Sequence, residues 1–139
     1  MADQSTSSPG LGLALARAAA ALLRVLGGYD IQVLVPAPVA PDSGAQLGLV
    51  APVTNTLTVA PAAVRSLSND NHVGRLRVQF LFAPSVMEAI LRDQGMSSVE
   101  AFFNSAIGIV HEGRILRVEK VDSDVMGGVA YLYRVTAVE

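Results

Sequence analysis

The chain has 139 residues, and one domain is the expectation from that length. Hydrophobic residues make up 51% and charged residues only 16%, with a net charge of -2. That composition excludes a disordered chain, which needs low hydrophobicity and high charge, and a strongly basic nucleic-acid binder, which needs a net positive field.

Residues 1–9 are polar and serine-rich and read as a flexible tail, leaving 10–139 as a single domain. The stretch Leu11 to Leu26 is apolar but too short to cross a bilayer, and Arg17 and Arg24 interrupt it. Two arginines are also too few for a helix lying on a membrane. At 100° per residue the arginines share one face, while Leu11, Leu15, Ala18, Leu22, Val25 and Leu26 gather on another. This predicts an amphipathic helix over 10–27 that packs through Leu15, Leu22 and Leu26 and is stopped by Gly27-Gly28. Tyr29 to Val35 alternates as a strand with Ile31, Val33 and Val35 on one side.

Pro36, Pro38, Pro41 and Gly44 then mark a loop, followed by candidate strands Gln46 to Val50 and Thr54 to Ala60. No charged residue occurs from Ser43 to Val64. A soluble monomer keeps charge on its exposed faces. Two readings compete for this stretch: a strand buried on both sides, or a surface covered by a partner. The second makes Leu47, Leu49, Val50, Val53, Leu57 and Val59 subunit-interface residues.

Ser66 to Gly74 reads as a polar loop, and Arg75 to Phe82 as a strand with Leu76, Val78, Phe80 and Phe82 facing one way. Ser85-x-x-Glu88 and Ser97-x-x-Glu100 each match a capping box and predict two short helices. Ala106 to His111 and Arg114 to Val121 read as a hairpin about Glu112-Gly113. Asp122 to Gly128 reads as a loop, and Val129 to Val138 as the final strand. In that strand Tyr131, Tyr133 and Val135 should be buried, with Arg134 and Thr136 outward. The fold class expected is α+β: a small antiparallel β-sheet or partly closed β-barrel with an N-terminal helix and two short helices before the C-terminal hairpin.

Chemistry finds little purchase here. His72 and His111 are the only histidines and there is no cysteine, so a zinc site would need carboxylates from distant segments such as Asp70. Asp122-Ser-Asp124 opens like a calcium loop, but Met126 stands at the third ligand position and no glutamate closes it. Gly10-Leu-Gly12 has no strand before it, and no Gly-x-Ser-x-Gly is present. The expectation is no catalytic residue, no metal and no cofactor. Arg75, Arg77, Arg114 and Arg117 gather on strands, either as an ordinary solvated sheet face or as a surface facing DNA or an acidic partner.

The segments "AIGIVHEGRILRVEKV" (106–121) and "GGVAYLYRVTAV" (127–138), with a helix placed before "YDIQVLVP", resemble the head–tail joining, or head-closure, proteins of tailed phages and prophages. The two helices between Ser85 and Ser105 depart from that pattern. The resemblance implies a structural virion subunit: a homo-oligomeric ring in the neck or tail, made in the bacterial cytoplasm. It would contact portal or tail subunits and pass DNA without specific binding. The competing classes are an oligomeric bacterial adaptor module and a small ligand-binding domain or enzyme.

Overall fold

The structure, a computed structural model, describes residues 9–37, 53–67 and 75–139. Helix α1 (Pro9–Leu22) continues into one wide π turn, Leu23–Gly27, and is followed by β1 (Tyr29–Pro36) and β2 (Thr54–Ser66). Strand β3 (Arg77–Phe82) leads into helices α2 (Pro84–Gln94) and α3 (Val99–Ser105). Strands β4 (Gly108–His111), β5 (Arg114–Met126) and β6 (Val129–Val138) complete the chain. The six strands close into an antiparallel barrel in the order β1-β2-β3-β6-β5-β4, with β4 hydrogen-bonded back to β1. The α+β barrel expected from the sequence is present, and it is fully closed. The polar tail, the candidate strand 46–50 and the loop residues Asp70 and His72 lie outside the described residues.

Alternation builds the wall. Ile31, Val33 and Val35 of β1, Val78, Phe80 and Phe82 of β3, and Val135 and Ala137 of β6 all point inward and are buried. Two helices then cap the core. Met87 of α2 and Val99, Phe102 and Phe103 of α3 join the same cluster. The rings of Phe82 and Phe103 stack with centroids 5.7 Å apart, and Phe102 meets Phe103 edge-on at 5.0 Å. His111, at the end of β4, sets its ring edge-on against Phe80 at 5.7 Å.

Several local expectations are corrected. Helix α2 begins two residues early, at Pro84, with Ala83 in place of Ser85 as its extended N-cap and no side-chain cap bond. Proline has no N–H to satisfy and a φ already suited to the first helical position, so Ser85 is not needed as a cap. The cap of α3 is Ser98 rather than Ser97, and its Oγ accepts from the Ala101 N–H at 3.1 Å. Strand β2 runs on through Pro61 to Ser66, with a break in register opposite, between Tyr29 and Ile31. Proline is tolerated in a strand at such an irregularity. Asp122 to Met126 is strand, not loop. The turn shrinks to Gly127-Gly128, both with positive φ, the requirement of a tight two-residue hairpin.

The largest correction concerns α1. Leu22 is 58% exposed, whereas Leu23 is 6% exposed. The helix lies on the barrel through its smallest residues. A Cβ on Gly12 would stand 2.4 Å from the Met126 carbonyl oxygen, and one on Gly27 would stand 2.5 Å from that of Ala62. Such close backbone approach leaves no room for a side chain at either glycine. Arg17 and Arg24 are exposed, as the helical wheel implies. Leu23→Ala is therefore expected to cost about 2–5 kcal/mol in urea unfolding. Leu22→Ala should stay within about 0.5 kcal/mol. The reverse order would restore the leucine face as the packed one.

Candidate interaction surface

The outer wall of the barrel is divided by charge. Between the inward residues of β1 lie Gln32 and Leu34, pointing out. Register sets Thr58 beside Gln32 and Thr56 beside Leu34 on one flank, and Val110 and Gly108 beside them on the other. Ile115 of β5 pairs with Val110 and closes the row. Thr54, opposite Pro36, ends the patch at the upper rim. This face therefore reads threonine, glutamine and aliphatic side chains with no charge inside it. Asp30 stands at its lower margin on the same strand. Ile115 is 59% exposed, and its Cγ2 lies 2.6 Å from where a Cβ on Gly108 would be. Glycine at 108 thus lets the isoleucine lie flat over β4.

The opposite half is densely charged. Arg77 Nε donates to Glu119 Oε2 at 3.0 Å, and Arg114 Nη1 to Glu139 Oε2 at 3.0 Å. Lys120 pairs with Asp122 at 3.3 Å, and Arg134 Nη2 donates to Asp124 Oδ1 at 2.8 Å. Arg65 is exposed beside Gln79, and Thr136 sits between Gln79 and Lys120. Thr136 was expected to face water. It is on the outer side of its strand but buried. Asp122, Asp124 and Glu119 each meet a cation.

These halves relocate the sites read from the sequence. Val59 is fully buried in the barrel and Leu57 packs against that core, so both are private core rather than interface. Inward parity on β2 is the reason, since Leu57 and Val59 alternate with the outward Thr56 and Thr58. Val53, 65% exposed, stays at the surface by the upper rim. Leu47, Leu49 and Val50 lie outside the described residues. The arginines do converge: Arg77 and Arg117 flank Val138 in one cross-strand row. Yet Arg77 and Arg114 are each held by a glutamate, and Arg75 also has an interaction partner. The region is a mixed-charge surface. The residues that sequence reasoning missed are Thr54, Thr56, Thr58, Gln32, Leu34 and Ile115. For β2 their signal was the period-two run Thr54, Thr56 and Thr58.

Two grooves complete the surface. One of about 370 Å³ lies between α1 and α2, with alanines 16, 20 and 21 on one wall and Arg17, Arg24 and Glu88 at its edges. The other, of about 310 Å³, lies between α3 and the β5–β6 hairpin and includes Tyr133, Asp122 and Ser98. Among the described residues no cluster of three or more histidines and carboxylates could hold a metal ion, and no helix is long and apolar enough to cross a membrane. No family model, curated protein or solved structure matches this chain.

Burial, and then the Glu88 carboxylate, raise the Tyr133 phenol above the ordinary value of 10.0. The folded chain thus favours the neutral phenol more than the unfolded chain does. That contribution to stability is complete below pH 10 and is lost as pH rises through the raised pKa. A Tyr133→Phe chain is expected to lose less stability on the alkaline side than wild type. Ultraviolet titration of the two should place the missing phenol above 10.0. A Tyr133 that titrates at or below that value would contradict its burial.

Proposed function

We propose that this protein is a structural subunit of a phage-like particle, a neck, head–tail connector or tail component that assembles into a ring. The observation that carries the reading is the division of the barrel wall. A soluble monomer mixes charges of both signs over its surface. Here charge is concentrated on β5 and on Arg77 and Arg134, which pair with it from β3 and β6, while the outward patch of Thr54–Thr58, Gln32, Leu34, Gly108 and Val110 has none within it and Asp30 and Arg65 lie beyond it. A face of that kind is favoured when another protein surface covers it. Closure of the barrel gives every strand two neighbours, and the proposed assembly uses the faces and loops of the wall.

The resemblance to head–tail joining proteins supplies the kind of assembly. Its partners are further copies of itself and neighbouring particle proteins such as portal or tail subunits, within a virion or phage-like particle built in a bacterial cytoplasm. The charged half suits a channel that passes DNA. Arg77 and Arg114 are neutralised by Glu119 and Glu139, so phosphates are repelled little and held weakly. The role is adhesive, and no catalytic step is assigned.

Sedimentation and native mass spectrometry across a concentration series test the reading. A discrete oligomer is expected, seen as an annulus by negative-stain electron microscopy. A chain that remains monomeric throughout would contradict it.

A further inference from the structure

The apolar core of the barrel is complete without the first helix. Every residue of that cluster comes from the strands or from α2 and α3. Among the described residues, none of the half-buried side chains packed against it belongs to α1. Along α1 itself only Gly12 is buried, while Leu11, Leu13 and Leu22 are 42%, 51% and 58% exposed. No backbone hydrogen bond joins α1 to a strand among the described residues, and Arg17, its one charged side chain, makes no ion pair with them. A groove of about 370 Å³ lies between α1 and α2. So little burial offsets only a small part of the entropy lost by holding the helix in place.

Two points do hold it, and they are unequal. At the C-terminal end the π turn Leu23–Gly27 sits against β2: Leu23 is 6% exposed, and Gly27 approaches the Ala62 carbonyl too closely to carry a side chain. This turn leads directly into β1 and is fixed to the barrel by it. The other point is Gly12, about 16 Å away along the helix axis. A Cβ there would stand 2.4 Å from the Met126 carbonyl oxygen and 2.7 Å from the Val129 Cβ. Gly12 therefore closes on the β5–β6 hairpin by backbone approach alone. A π turn widens the helical ladder, and helices bend at such places.

We infer that α1 is a hinged strap. The π turn is the hinge and stays on β2, Gly12 is the latch, and Pro9–Leu22 lifts from the β5–β6 hairpin and returns while the barrel stays closed. Lifting bares Val129 and the start of β6 and frees every side of the helix. The strap is a property of the single chain and stands apart from the ring-subunit reading.

The lifted state has its own signature. Helix α1 has 14 residues, with no acidic residue in its first turn and no basic one in its last. A helix of that length is marginal in water once it loses its seat. Its amides therefore exchange with solvent when the strap is up.

Hydrogen exchange of the full-length chain, read by mass spectrometry at rising urea below the unfolding transition, tests the strap. In wild type the amides of α1 should exchange about a hundredfold faster than those of β1, β3 and β6, through an opening that barely responds to urea. Gly12→Ala sets a methyl group against the Met126 carbonyl oxygen and at the same time favours the helix itself. It should speed exchange in α1 by about tenfold more, and leave the three strands and the urea midpoint as in wild type. An α1 that exchanges together with the strands, at the same rate and with the same urea dependence, overturns the strap. So does a Gly12→Ala chain whose strands exchange faster, whose midpoint falls or which fails to fold, because the latch would then belong to the barrel. A variant whose α1 exchanges as in wild type overturns Gly12 as the latch.

Discussion

Hydrogen bonding between β1 and β4 is the interaction on which the rest of this structure depends. It joins the first strand to the fourth and turns a curved sheet into a closed barrel. Without it both strands would expose unpaired backbone groups, an invitation to indiscriminate pairing. With it, every strand has two neighbours, and the interior becomes a single apolar cluster running from Val33 and Ile109 to Phe80 and Phe82. Helices α2 and α3 close that cluster with Met87, Phe102 and Phe103. They belong to the core and not to an appended module.

Closure also determines how the molecule can meet others. The outer wall is the broadest surface on offer, and it is unevenly furnished. The ion pairs of β3, β5 and β6 are exposed or half-exposed, a setting in which each is worth little to stability. Their consequence is hydration of one half of the barrel. The threonine and aliphatic residues around Leu34 and Gly108 have no such role, and the outward leucines of α1 have none in the core. Both surfaces become intelligible when the unit of function is an assembly.

Much of the fold was legible because its strands alternate cleanly. Ile31, Val33 and Val35, then Val78, Phe80 and Phe82, then Val135 and Ala137, are buried at period two as their spacing implies. The hairpin at Glu112-Gly113 was legible from glycine alone. What failed has a common cause. The wheel for α1 assumed that the largest apolar residues seek the interior. The barrel had already filled its own interior, and the helix found only an outer wall, approached most closely through Gly12 and Gly27. Asp122 and Asp124 looked like turn residues because aspartate is common in turns. The backbone ladder with β6 instead carries them in a strand, where they meet Lys120 and Arg134, and the turn falls at Gly127-Gly128. The uncharged stretch left two readings open, a strand buried on both sides or a covered surface, and β2 divides its residues between an inner and an outer side. Val59 went inward and Thr56 and Thr58 outward.

The central claim is that the uncharged half of the wall is covered in the working state and the charged half is not. The chain contains no cysteine, so single cysteines can be placed and their reaction with a thiol reagent timed without interference. Thr56→Cys is conservative in size, and Lys120→Cys sits on the charged half with its side chain well exposed. Each is introduced at low occupancy into assembled wild-type protein. The account predicts that the cysteine at 56 reacts far more slowly in the assembly than in the monomer, while the one at 120 reacts at the same rate in both. A shielded 120 and a freely reacting 56 would contradict it.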